Sequence, residues 1–349
     1  MRVKLTRGQR LIIAALVSAF FICAGTSLGS SAIKLGDTVR IILGQTGGIS
    51  VRDLSIVRQL RLPRVLLAFM AGGALAVSGA VFQSVLKNQL ASPYIIGVSS
   101  GASLGAALVI LCGLRIVLPE PLRGSLLGRL VGDLSLPAAG FSAGLLTAFA
   151  VIAFSSRLDR SMSNNTVILF GMVVSLFVNA LLTTLMALFR EELKTLILWQ
   201  MGSFALKGWT AVILLLPFLI IGGLGLVRYT RELDLLSFGE EEAQAAGVEI
   251  RGVRGRLFFF ASLLTGATVA LCGAIGFVDL IAPHISRRIA GPSHRYALPL
   301  SFCIGGCLMI AADLVARTII SPAELPVGAV TALIGAPFFA WVYFKRGKK

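Results

Sequence analysis

Stretches of about 20 mainly apolar residues, the length of a helix that crosses a roughly 30 Å hydrocarbon core, recur along this chain from Leu11 to Phe344 with only short polar interruptions. That recurrence leaves few folds open. Lipid satisfies no backbone hydrogen bonds, so a spanning segment is a helix or part of a closed barrel. Runs of this length, without strict apolar–polar alternation, are helical. Hydropathy places ten spans near 11–31, 62–84, 95–114, 134–154, 166–189, 208–228, 256–275, 276–290, 297–317 and 326–344. The expected fold is all-α, a polytopic membrane protein with about ten transmembrane helices, forming one transmembrane domain over residues 1–349. The eighth span is short for a crossing and contains Asp279, Pro283 and His284. It is expected to lie against other helices rather than lipid.

Composition agrees. The chain is 56% hydrophobic and 14% charged, outside the range of an ordinary soluble domain. A formal charge of +16 raises nucleic acid as a partner, but the basic residues are scattered between apolar runs and never gather on a soluble module. Membrane topology accounts for them instead. Ten spans put both termini on one side, and both are basic: Arg2, Lys4, Arg7 and Arg10 at one end, Lys345, Arg346, Lys348 and Lys349 at the other. The positive-inside rule puts that side in the cytoplasm, with 19 Lys and Arg inside against 13 outside. The basic start followed by apolar Leu11 to Ala24 has the form of a signal peptide; the many spans that follow favour a first anchor helix. Five dispersed cysteines, all in or beside apolar runs, read as packing residues. Cys303 and Cys307 share a helix face, but no third metal ligand is near them in sequence.

Groups that carry chemistry are sparse. There is no Gly-x4-Gly-Lys-Ser/Thr phosphate loop, no nucleophile elbow and no cluster at metal-ligand spacing, so a membrane-embedded enzyme is disfavoured. A chain that moves a solute with ATP would take its ATPase from another subunit, leaving ATP and magnesium on that partner and no cofactor here. The segment from about 234 to 249 is polar, acidic at its start and closed by Gly247, the pattern of a short capped helix. Such a helix suits a groove on a soluble motor, or serves as an ordinary connection. Arg61-Leu-Pro-Arg64 opens the second span on the outer face, as membrane-edge anchors or as a pair that receives carboxylates of a docking protein. Asp279, His284 and Asp313 are ionisable groups within spans, and Asp313 and Arg317, one turn apart, are expected to pair. Gly72, Ala76 and Ala80, and Gly97, Gly101 and Gly105, are spaced for close helix contact. The alternative of an ion-gradient-driven secondary transporter calls for acids within spans and inverted repeats around broken helices; the acids here are few.

Together these segments resemble the permease family of type II ABC importers that take up ferric siderophores, haem and vitamin B12. The most specific stretch runs from Arg61-Leu-Pro-Arg-Val-Leu-Leu-Ala through Gly72-Gly-Ala-Leu-Ala-Val-Ser-Gly-Ala80 to Lys87-Asn-Gln-Leu-Ala-Ser-Pro-Tyr-Ile-Ile-Gly-Val-Ser-Ser-Gly101. Trp199-Gln-Met-Gly-Ser203, Gly276-Phe-Val-Asp-Leu-Ile-Ala-Pro-His284, Glu324-Leu-Pro-Val-Gly328 and Gly335-Ala-Pro-Phe338 resemble later signatures, in order. The resemblance implies a type II permease fold that dimerises, most simply as a homodimer, around a central path. Two ATPase subunits lie below and an extracytoplasmic binding protein above, in the inner membrane of a bacterial or archaeal cell. By the same resemblance, Arg61, Arg64 and Arg317 match arginines that meet glutamates of the binding protein. Glu240, Glu241, Glu242, Ala243, Gln244, Ala245, Ala246 and Gly247 match the coupling helix, and Asn164 and Asn165 fall near a cytoplasmic gate. Iron–siderophore is the first substrate implied, with haem and cobalamin as alternatives. Three residues depart from the pattern: Asp279 for glycine, Gln89 for proline and Ala246 for leucine. Asp279 is expected to find an arginine partner.

Overall fold

A computed structural model describes residues 6–29, 33–45, 47–111, 126–159, 163–189 and 192–346. The tails of the first and third expected spans, at 30–31 and 112–114, and the terminal Arg2, Lys4, Lys348 and Lys349 lie outside the described residues. Among the described residues the regular elements are all helical. They are α1 (Arg7–Ser27), α2 (Leu35–Ile42), α3 (Val51–Ser55), a π-helical stretch (Ile56–Arg61), α4 (Leu62–Val85), a 3-10 turn (Pro93–Ile96), α5 (Val98–Ile110), α6 (Leu126–Leu158), α7 (Asn164–Leu188), α8 (Leu193–Gln200), α9 (Gly208–Arg228), α10 (Thr230–Phe238), α11 (Glu240–Ala245), α12 (Ile250–Cys272), α13 (Val278–Ala290), α14 (His294–Thr318) and α15 (Val327–Arg346).

Seven of these segments, Val51–Val85 counted as one, are long and apolar enough to cross a membrane, and Val98–Ile110 and Val327–Val342 are shorter apolar helices. The short eighth span is α13. Its Val278, Asp279, Ile281, Ala282, Pro283, His284 and Ser286 are buried in protein, as its length requires. The second span begins earlier than hydropathy indicates, because α3 continues into α4 through the π-helical turn without a break. That turn carries Arg58 and Arg61, charges that hide its helical continuity from an apolar window.

The bundle is layered by burial. In Val51–Val85 the apolar window is 89% buried and in α12 78%, against 22% in α1 and α7, so α4 and α12 form the centre and α1, α6, α7 and α9 surround it. The outer helices expose Leu16, Phe20, Leu176, Phe177, Ile220 and Leu224, an apolar surface of the kind that lipid or a second subunit covers. At the centre, small residues let backbones touch. A Cβ added at Gly72 would collide with the Gly305 carbonyl, and one at Gly305 with that of Gly72. Gly79 is pressed equally hard against the Asp279 backbone. Gly101 and Gly105 meet Ala143, Thr147 and Ala139 of α6 in the same way, so the small-residue spacing marks helix contacts on both α4 and α5.

Candidate functional site

Polar groups collect in three places: at each end of α4 and beside the start of α13. At the N-terminal end, the guanidinium of Arg64 bridges two carboxylates. Its Nε lies 3.1 and 3.0 Å from the two Asp313 oxygens and its Nη2 2.8 Å from Oδ1. Nη1 and Nη2 also donate to Glu324 at 2.7 and 2.9 Å. Asp313 is 1% exposed and Glu324 37%. Arg317 is paired with Asp313 at 3.6 Å, one turn away as the spacing indicated, and donates to the Gly25 carbonyl. Arg61 is buried and donates to the Ser27 carbonyl at 2.7 Å. The three arginines therefore converge on one end of the bundle, each with internal partners. With Arg52, Lys207 and Glu324 they line a cavity of about 620 Å³. Hydrogen bonds from Arg64 hold the Glu324 carboxyl below the usual glutamate range.

Beside α13, sequence signatures far apart in the chain meet through backbone hydrogen bonds. Ser203 N donates to Cys272 O at 2.9 Å, Ala274 N to Gln200 O at 3.3 Å, Val327 N to Gly202 O at 3.1 Å and Gly328 N to Met201 O at 3.2 Å. Gly202 and Gly273 adopt φ of +76° and +80°, which β-carbon residues rarely accept. Tyr94 donates its hydroxyl to Ile275 O at 2.8 Å. Asp279, the departure from the expected glycine, is 1% exposed and accepts from the Ser92 hydroxyl. The sequence expectation of an arginine partner fails: the carboxylate meets Ser92, and Arg287 reaches only the residue's main chain, through Gln83, which donates to the Asp279 backbone carbonyl at 3.2 Å while its own Oε1 accepts from Arg287. Ser92 is closer in space because the 3-10 turn that follows it packs on the same segment.

At the C-terminal end of α4 lie the two short helices α10 and α11. Three glutamates open α11, where the helix dipole favours them. Gly247, at φ +82°, ends it, with Val248 N donating back to Ala243 O at 2.9 Å and Gly247 N to Gln244 O at 2.9 Å, the hydrogen-bond pattern of a glycine-terminated helix. Ala243 is fully buried, whereas Glu241, Glu242, Gln244, Ala245, Ala246 and Gly247 face outward, so the segment is a seated knuckle with an acidic, exposed crown. Glu240 pairs with Arg254 at 2.6 Å. Asn164 receives Arg254 at 3.5 Å and donates to Leu86 O at 3.1 Å, while Asn165 next to it makes none of these bonds.

A second polar group at this end escaped sequence reasoning. Asp234 on α10 accepts from His294 N at 2.7 Å, lies 2.6 Å from His294 Nδ1, and accepts from Ser293 at 3.1 Å. His294 Nε2 is 2.6 Å from the Ser84 hydroxyl. Partial burial pushes the Asp234 carboxyl up, but these hydrogen bonds outweigh it and hold the group below the ordinary aspartate value. The only local signal was His294 opening an apolar run after Gly-Pro-Ser.

Cys272 is buried, and Cys307 lies 3.6 Å from the Ser18 hydroxyl. Among the described residues no group of three or more His, Cys, Asp or Glu is placed to hold a metal.

Comparison with known proteins gives one answer. The FecCD transport family matches residues 15–345. An ABC transporter permease protein of Bacillus subtilis (strain 168), YvrB, is 39% identical over 94% of this chain and 91% of its own length. The cobalamin import system permease protein BtuC of Halobacterium salinarum is 38% identical over 83% of this chain and 74% of its own. A solved structure described as an inward-facing conformation of a metal-chelate type ABC transporter superposes with TM-score 0.81 at 30% identity, covering 97% of this chain and 99% of that one. A chain of packed apolar helices with one charged end, a glycine-terminated acidic knuckle at the other and this match along nearly its whole length belongs to the FecCD transport family, as an ABC importer permease.

Proposed function

We propose that this permease carries an iron–siderophore type of chelate across the inner membrane of a bacterial or archaeal cell, as a dimer driven by two separate ATPase subunits. The observation that carries the reading is α11: a short acidic helix, anchored by buried Ala243 and exposed elsewhere, at the end of α4 opposite the arginine cluster. Glu240 to Gly247 seat in the ATPase, which holds ATP and magnesium. Arg61, Arg64 and Arg317 face an extracytoplasmic binding protein, and both termini lie in the cytoplasm. Metal-chelate and cobalamin relatives support a bulky metal-centred substrate. The apolar character of the outer and inner helices fits a path that holds such a substrate weakly. ATP-driven closure of the ATPase pair displaces α11 and opens the path to one side, while the binding protein supplies substrate selectivity.

The test is uptake by proteoliposomes that contain this chain, its ATPase and its binding protein, offered labelled ferric siderophore, haem and cobalamin with and without internal ATP. ATP-dependent uptake of the siderophore is the expected result. Uptake of haem or cobalamin alone reassigns the substrate, and uptake that follows an imposed ion gradient without ATP refutes the importer mechanism.

A further inference from the structure

Arg254, in the second turn of α12, is 1% exposed and heads the largest fully buried side chains among the described residues. A guanidinium does not shed its proton at any ordinary pH, and a protein interior tolerates one only when hydrogen-bonded partners offset its desolvation. Its Nη2 donates to Glu240 at 2.6 Å and reaches Asn164 Oδ1 at 3.5 Å. Asn164 Nδ2 donates onward to Leu86 O at 3.1 Å. A continuous polar line thus runs from the first residue of α11, through the buried face of α12, to the first residue of α7 and the C-terminal end of α4.

The neighbouring helix is fixed by a different route. Asp234 ties α10 to His294 of α14 and, through its imidazole, to Ser84 of α4. Helices α10 and α11 meet at Gly239. Within α11, Ala243 supplies the apolar seat and Glu240 the charged tie. Hydrophobic seating is non-directional and permits sliding; a charge-assisted hydrogen bond from a guanidinium N–H to a carboxylate oxygen is directional and resists it.

We propose that Arg254 is a positioning residue that passes displacement of α11 to the ends of α7 and α4. This rests on the coupling role proposed for Glu240 to Gly247. Arg254 touches neither ATP nor substrate; it makes the knuckle and the two helix ends answer to one another.

The experiment uses the full importer in proteoliposomes and reads substrate molecules moved per ATP hydrolysed, for the wild type, Arg254→Gln, Glu240→Gln and the double variant. Glu240→Gln alters a side chain that is 38% exposed and so keeps the test alive if Arg254→Gln does not fold. Each single variant is expected to lower the ratio by about tenfold, and the double variant no further than either, because both cut one link. A ratio unchanged from wild type in Glu240→Gln, or losses that multiply in the double variant, overturns the proposal. Parallel loss of uptake and hydrolysis, leaving the ratio intact, also overturns it, since a merely structural role behaves that way. A wild-type complex that moves no substrate with ATP refutes the importer reading instead.

Discussion

Asp313→Asn removes a charge at the point where Arg64 and Arg317 converge, and the geometry around it sets the size of the effect. The carboxylate is 1% exposed and accepts three contacts from Arg64 within 3.1 Å. Removing one partner of a buried ion pair costs about 3–5 kcal/mol, because the remaining charge is left uncompensated. Arg64 keeps both contacts to Glu324, which places the loss near the lower bound, about 3 kcal/mol. Glu324→Gln acts on the same guanidinium from a side chain that is 37% exposed, so water and salt screen it and the loss is below about 1 kcal/mol. For a chain of this size about 2 °C of melting temperature corresponds to 1 kcal/mol. Asp313→Asn is therefore expected to lower the melting temperature by about 6 °C and Glu324→Gln by at most about 2 °C. Thermal unfolding in one detergent, followed by tryptophan emission, measures both. At about 1 M salt, where the Debye length is near 3 Å, the Glu324→Gln difference should vanish and the Asp313→Asn difference persist. Equal shifts for the two variants, or a larger one for Glu324→Gln, would refute the assignment of the strong contact to the buried carboxylate.

Glu324 occupies the guanidinium that a docking carboxylate would seek, so Glu324→Gln should tighten binding-protein affinity by about two- to fivefold; weaker binding, read by titration of the binding protein onto the detergent-solubilised complex, removes Arg64 from the docking face. Because its carboxyl lies below the ordinary glutamate value, the Glu324 contribution to stability is complete above a pH of about 4.5 and is lost as pH falls below it. A pH–melting profile that is identical for wild type and Glu324→Gln through that window contradicts the pairing. Gly79→Ala drives a methyl group into the Asp279 backbone, whereas Gly223→Ala meets open space. The first should abolish monodisperse extraction and the second leave it intact or improve stability by up to about 1 kcal/mol; size-exclusion profiles of the pair decide.

What the sequence made legible was whatever depends on one-dimensional period or on local chemistry. Apolar length located the long helices, seven of which are long and apolar enough to cross a membrane among the described residues, small-residue spacing located the contacts of α4 and α5, and Glu240 to Gly247 declared a helix with its own start and stop signals. The pairing of Asp313 with Arg317 was readable at one helical turn, but Arg64 is 249 residues away and Glu324 lies in a loop, so the bridge between them was not. Arg254 stands in a basic run with Arg251 and Arg256, and its burial beneath Glu240, which no one-dimensional pattern signals, separates it from them. His294 and Asp234 are 60 residues apart, and nothing in either neighbourhood refers to the other. The partner of Asp279 was misjudged because charge complementarity favoured an arginine, while the backbone of the 3-10 turn brings a serine nearer.

The contact between Gly72 and Gly305 is a keyed joint. Two helices with side chains between them can shear by a fraction of a turn as rotamers yield, but here carbonyl faces α-carbon on both sides and no soft layer intervenes. Any sliding of α4 along α14 runs one peptide group into another. The two helices are thereby keyed to one another and again to α13 at Gly79, whereas α7 and α9 bury only 22% and 28% of their apolar windows and meet the core along one narrow face, so relative motion costs least at that rim.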